Sequence, residues 1–197
     1  MQRMTIVHVL DPFAGGLATF LRLLTEQLND DYHIIIHGER NDIADFKEVR
    51  SVFPKKNIRF IQWKSVQRNL SAKKDFKAYI ELVKILRRFK NADAVHLHSS
   101  KAGFLGRIAC RQLGIKQILY TPNGAPFLIN NVSKFKLKLY ERLERFAHRL
   151  GGAVVCSSES EQKEYNDRGI KANFMNNGTS IGKHSFIKDK DYNKFRI

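Results

Sequence analysis

Short apolar runs alternate with amphipathic helical patterns along almost the whole chain, and that alternation leaves few folds open. Thr5–Val9, His33–His37, Ile58–Ile61, Ala94–His98, Gln117–Tyr120, Ala153–Cys156 and Ala172–Met175 read as strands. Between them, apolar residues recur at helical spacing. Examples are Leu17, Phe20, Leu21, Leu24 and Leu28, then Ala72, Phe76, Tyr79, Ile80, Val83 and Leu86 after a capping Ser71. Ala102, Leu105, Ile108, Ala109 and Leu113 form another set, closed by Gly114. Leu139, Leu143, Phe146, Ala147 and Leu150 precede Gly151-Gly152, and Ser158 with Glu161 reads as a capping box for a last helix ending at Gly169. Strand–helix alternation implies an α/β fold, a mostly parallel sheet of about seven strands with helices on both faces. In such sheets the ligand sits beyond the carboxyl ends of the strands.

The most informative strand end is Asp93-Ala94-Val95-His96-Leu97-His98-Ser99-Ser100-Lys101-Ala102-Gly103, where a buried-strand pattern runs into small polar residues and then a helix. His96 and His98 are two apart and share a strand face. A metal would need a third ligand of matching geometry, which the spacing does not supply, so hydrogen bonding in a core or crevice is expected and metal binding is not. Ser99 and Ser100 fit helix caps or ligand contacts. Lys101 stands in a first helical turn, where a cation opposes the helix dipole, so an anion is expected beside it.

The other strand ends repeat the theme. Asp11-Pro12-Phe13-Ala14-Gly15-Gly16-Leu17 places two glycines at a helix start, where backbone amides can approach a phosphate. It is not the Gly-x-Gly-x-x-Gly of dinucleotide binders. Tyr120-Thr121-Pro122-Asn123-Gly124-Ala125-Pro126 is a rigid turn, and Ser157-Ser158-Glu159 follows the sixth strand.

Charge is the outstanding feature of the composition. Lys and Arg number 35 against 19 Asp and Glu, for a net charge of +16. Such a surface favours polyanions: nucleic acid, phosphorylated substrates or an anionic membrane face. No zinc spacing, RNP-like aromatic motif or obvious reading helix accompanies it. Met1–Leu10 is too short and interrupted for a signal peptide, and no apolar run approaches the ~20 residues of a membrane span. Cys110 and Cys156 read as buried reduced thiols, and the chain as cytoplasmic.

Taken together, certain stretches resemble the amino-terminal domain of GT-B glycosyltransferases of family four, the retaining kind found in bacterial capsule and O-antigen gene clusters. They are His8-Val9-Leu10 with Gly15-Gly16, Val95 to Gly103, Tyr120 to Gly124, Glu141 to Glu144, Ser157 with Glu161, and Asn177-Gly178. The resemblance implies an acceptor-binding half whose partner half holds the nucleotide sugar, with paired glutamates eight residues apart. No two glutamates here have that spacing. Residues 1–182 are expected to be the Rossmann-like half, and residues 183–197 a linker toward a missing carboxyl-terminal domain. The implied reaction moves a hexose from a nucleotide sugar, UDP- or GDP-linked, to a lipid-linked saccharide at the cytoplasmic face of an anionic inner membrane, with no further cofactor. The fragment alone is expected to be inactive. Gly15 and Gly16 match the loop near the donor diphosphate; His98, Ser99, Lys101, Asn123 and Ser157 are the expected substrate contacts. Asn123 stands where many relatives carry histidine, and asparagine can hydrogen-bond but cannot take a proton at neutral pH. Two other readings stay open: one subunit of a split two-chain transferase, and a basic nucleic-acid-binding α/β module, though no specific nucleic acid is expected.

Overall fold

In the computed structural model, residues 3–40, 43, 45–54, 56–129 and 132–176 are described. Asn177-Gly178 and the expected linker 183–197 lie outside the described residues. Seven parallel strands form one sheet in the order β3-β2-β1-β4-β5-β6-β7. They are β1 (Thr5–Leu10), β2 (Tyr32–His37), β3 (Ile58–Gln62), β4 (Ala94–His98), β5 (Ile118–Thr121), β6 (Ala153–Cys156) and β7 (Ala172–Phe174). The helices are α1 (Gly15–Gln27), α2 (Phe46–Ser51), α3 (Ala72–Arg87), α4 (Ser100–Leu113), α5 (Lys134–Arg149) and α6 (Glu159–Asp167). Strand order reverses between β1 and β4, which makes the crevice beyond those two strands the topological switch point.

All seven expected strands form, with ends shifted by a residue or two. Absent from the sequence reading are α2 and a single 3-10 turn at Pro126–Leu128. The α2 helix is too short to show periodicity; Asp45 caps it by accepting from the Lys47 amide at 2.7 Å.

The two faces of the sheet differ in chemistry. Val7, Val9, Ile34, Ile36, Val95, Leu97, Ile118, Tyr120, Val154 and Cys156 pack with residues of α3, α4 and α6 in the larger core. The other face packs Leu10 and Ile35 against Ala18 and Leu21 of α1. Between those apolar residues it carries His8, His33, His37, His96 and His98, all buried.

Tight packing holds α4 against the sheet. A Cβ on Gly103 would lie 2.1 Å from Tyr120 Cε2, and one on Gly106 2.5 Å from Leu97 Cδ2. Beside Gly103, Arg107 is fully buried, donates to the Gly103 carbonyl at 3.0 Å, and meets both Glu144 oxygens at 2.9 and 2.5 Å. The Tyr120 hydroxyl donates to Glu144 Oε1 at 2.8 Å, and the Arg107 guanidinium lies 4.2 Å from the Tyr120 ring centre. One buried ion pair thus ties α4, α5 and β5 together and fixes where the β5 loop emerges.

Candidate functional site

The strand ends are bound to one another by their own loops. The Ser99 hydroxyl donates to the Asp11 carbonyl at 2.8 Å, and the Ser99 amide to the Thr121 carbonyl at 3.1 Å. Ser99 occupies the N-cap position of α4 with φ 67° but makes no side-chain cap bond; the hydroxyl is spent on the β1 loop instead. Phe13 N bonds Gly38 O at 3.1 Å, and Arg40 pairs with the buried Asp11 through Nε at 3.2 Å and Nη2 at 2.5 Å. The loop after β1 is therefore anchored on both flanks before it reaches the glycines.

Gly15 and Gly16 begin α1. Ala14 is the N-cap, which no side chain caps, and the first turn holds no acid. Both glycines are exposed, and a Cβ on either would have nothing within 4 Å. Gly15 has φ +57°, a left-handed conformation that favours glycine. Uncapped first-turn amides beside glycines that carry no side chain suit an anion.

A second feature lies at the ends of β5 and β6. A cavity of about 660 Å³ is lined by Asn123, Gly124, Leu128, Ile129, Ser157 and Glu161, among others. Asn123 adopts φ 53° and donates through Nδ2 to the Thr121 carbonyl at 3.1 Å, so its amide nitrogen supports its own turn. Glu161 joins the two loops. It accepts from Gly124 N at 2.9 Å, Ser157 N at 3.0 Å and Ser157 Oγ at 3.2 Å. The capping box is half realised: Ser158 Oγ accepts from the Glu161 amide at 3.2 Å, but the carboxylate passes over the Ser158 amide to Ser157, one residue before the cap, and across to Gly124. Glu161 is the site residue that the sequence motif named for a different task.

The expected contacts thus separate. Asn123 and Ser157 share one cavity. Gly15 and Gly16 face open space at α1. The anion beside Lys101 is a protein carboxylate: Nζ lies 2.6 Å from Asp75 Oδ1 and 2.8 Å from the Asn69 carbonyl, locking the first turn of α4 to that of α3. His98 is fully buried beneath the strand end.

Spacing along β4 does not reveal what stands beside His96 and His98. The parallel register sets His8 opposite His96, and one ring nitrogen from each of His8, His96 and His98 lies within 4.8 Å of the others. Burial, reinforced for His8 and His98 by the neighbouring imidazoles, holds both well below the ordinary imidazole value, and burial lowers His96 to about 3. Burial and Arg50 bring His37 to about 4. Both thiols, Cys110 and Cys156, are buried and free, pushed up to about 12 chiefly by burial.

A galactosyltransferase of Escherichia coli, named for transfer from UDP-Gal to α-D-GlcNAc-diphosphoundecaprenol in an α-1,3 linkage, is 36% identical over 120 residues, 59% of this chain and 30% of that protein. An uncharacterised 41.2 kDa protein in the cps region of Klebsiella pneumoniae is 28% identical over 174 residues, 86% of this chain and 44% of that one. The chain spans less than half the length of these two relatives. Among solved structures, Anabaena HepE in complex with UDP and glucose aligns with TM-score 0.65 at 16% identity, over 90% of this chain and 45% of that one. Sucrose-phosphate synthase of Thermosynechococcus elongatus aligns with TM-score 0.60 at 16% identity, over 88% and 47%. At such identities the likeness is one of fold, that of one Rossmann-like half of a GT-B enzyme. The model for Glycosyltransferase Family 4 matches residues 14–179, most of the chain, and the chain belongs to that family.

Proposed function

We propose that this chain is the acceptor-binding half of a retaining hexosyltransferase that extends a lipid-linked saccharide in surface-polysaccharide synthesis. The observation that carries the reading is the row of strand ends at one edge of the sheet. There the open amides of Gly15-Gly16 suit a diphosphate, and the Asn123–Ser157 cavity offers a hydroxyl, a carboxamide and exposed Leu128 and Ile129. A saccharide on an apolar carrier presents hydroxyls and hydrocarbon together, which is what that lining matches. The relatives' names add a UDP-sugar donor, a diphospholipid acceptor and a cps locus.

The donor is held by a second nucleotide-sugar-binding half, on the same polypeptide or a separate one. The coverage of relatives, 30% and 44% of their lengths, supports that division. No cofactor beyond the nucleotide sugar, UDP- or GDP-linked, is required by this reading.

The protein works at the cytoplasmic face of an anionic membrane. Helix α5 supports this: Phe135, Leu139 and Phe146 are exposed along one stripe, flanked on the helix by Lys134, Lys138, Arg142, Arg145 and Arg149. A basic flank beside outward aromatics suits an interfacial helix.

The test is a transfer assay with polyprenyl-diphosphate saccharide and UDP- and GDP-sugars, run on this chain alone and with its donor-binding half. Transfer only in the combined reaction, with an anomeric configuration by NMR that matches the donor's, is the expected result. Turnover by this chain alone, or inversion, refutes the reading.

A further inference from the structure

We propose that His8, His96 and His98 form a binding site for one divalent transition-metal ion, zinc being the best fit, which cross-links β1 to β4 beneath the switch point. Four buried imidazoles stand together on one sheet face, His33 being the fourth, where aliphatic side chains would fill the space without polar atoms to satisfy.

For four neutral rings, the hydrogen bonds set which nitrogens carry protons. His33 Nε2 lies 2.9 Å from the Leu28 carbonyl, which can only accept, so His33 donates there and its Nδ1 is bare. His8 Nε2, 3.1 Å from that Nδ1, must then carry the proton, which leaves His8 Nδ1 bare. His98 Nε2 is 3.3 Å from His8 Nδ1 and donates to it. His98 Nδ1 is left as a buried lone pair with no partner among the described residues. The relay therefore ends in an unsatisfied acceptor beside a cluster of imidazole nitrogens.

A cation would take the place of the His98–His8 hydrogen bond. Zn–N bonds of about 2.0–2.1 Å put tetrahedral ligand nitrogens roughly 3.3–3.4 Å apart, and His8 Nδ1 and His98 Nε2 are separated by 3.3 Å. When the ion sits between them, the His98 proton moves from Nε2 to Nδ1, so no net proton leaves and Nδ1 holds an N–H in place of its lone pair. His8 keeps its Nε2–H on His33, the outer-shell arrangement that orients a ligating imidazole. His96 is the third ligand through Nδ1, its ring held by Thr121 Oγ1 at 2.9 Å from Nε2 and one nitrogen of each of the three rings lying within 4.8 Å of the others, and a water completes the four-coordinate set. All three rings are neutral at pH 7, the form that binds metals. An all-imidazole set without carboxylate or thiolate suits Zn²⁺, and Co²⁺ as its spectroscopic substitute. This site is independent of the proposed acceptor cavity.

The experiment uses the purified chain without a histidine tag. It is refolded with one equivalent of Zn²⁺ or Co²⁺ because the site is closed. Expected are one equivalent of metal retained after gel filtration, a raised melting temperature, and the visible bands of four-coordinate Co²⁺ without a thiolate charge-transfer band. His98→Leu removes binding. His33→Phe, which leaves all three ligands, weakens affinity by about 10–100-fold. Wild-type chain that retains no metal after refolding, or whose Co²⁺ spectrum stays six-coordinate, overturns the proposal. Should His98→Leu fail to fold, unchanged affinity in His33→Phe overturns it as well.

Discussion

Replacing Glu161 by glutamine probes the clamp that shapes the β5–β6 cavity. The side chain is 7% exposed, and its two oxygens accept three hydrogen bonds, from Gly124 N, Ser157 N and Ser157 Oγ. Glutamine has nearly the same shape but one acceptor oxygen. If that oxygen keeps the two Ser157 donors, the new NH₂ meets the Gly124 N–H, donor against donor. Hydrogen bonds to a charged group are worth about 1.5–3 kcal/mol each. Water reaches the exposed Gly124 loop and recovers part of the loss, so the net cost is about 2 kcal/mol. In a domain of this size each kcal/mol shifts the melting temperature by about 2–4 °C. Glu161→Gln should therefore melt roughly 4–8 °C lower. Because the β5 loop swings away from the β6 loop, the acceptor KM of the complete transferase should rise more than its kcat falls. The assays are calorimetry of this chain and steady-state kinetics of the two-half enzyme. A Glu161→Gln melting curve superimposable on wild type, with unchanged acceptor KM, refutes the clamp.

Further outcomes follow from other sites. A Cβ on Gly16 meets nothing within 4 Å, so Gly16→Val should leave stability nearly unchanged while nucleotide-sugar use weakens in kinetics. Gly103→Ala should be strongly destabilising, by about 3 kcal/mol or more in denaturant melts, because its Cβ would lie 2.1 Å from the Tyr120 ring. Asn123→Gly suits φ 53° and isolates the carboxamide: turnover should fall with little loss of stability, whereas Asn123→Ala should also lose about 1–2 kcal/mol to left-handed strain. For the metal-free chain, the unfolded histidines take protons near pH 6.5 while folded His8, His37, His96 and His98 do not, so stability is full above 6.5 and is lost as pH falls toward about 4 and 3. Each ring contributes up to about 1.4 kcal/mol per pH unit, which denaturant melts at pH 7.5 and 5.5 will read. Vesicles of anionic lipid should bind the chain, neutral vesicles should not, and salt should release it.

The fold was legible because parallel strands buried on both faces are near-continuous apolar runs, and glycines mark the ends of α4 and α6 in the sequence as in the structure. What local pattern could not show is how side chains are spent across the sheet. Ser99 fits a cap by sequence, yet its hydroxyl binds a carbonyl 88 residues away. Lys101 finds its anion in Asp75, on the first turn of a different helix. The third imidazole, His8, is brought to His96 only by the β1–β4 register. Glu161 was visible as a helix-start residue, but its reach to Gly124 depends on how β5 and β6 lie side by side. Pairings between distant segments decide the site, and periodicity within one segment carries no information about them.

On the proposed function, the ends of β1, β4, β5 and β6 bind diphosphate-linked saccharides. The most direct measurement is a ¹H–¹⁵N titration of the labelled chain with a short-chain polyprenyl-diphosphate N-acetylhexosamine, beside an oligonucleotide of equal charge. Saturable shifts centred on Asn123, Gly124 and Ser157 are expected with the saccharide, and only weak, salt-erased shifts scattered over basic residues with the oligonucleotide. Shifts confined to lysines and arginines with both ligands, and a silent strand-end row, contradict it.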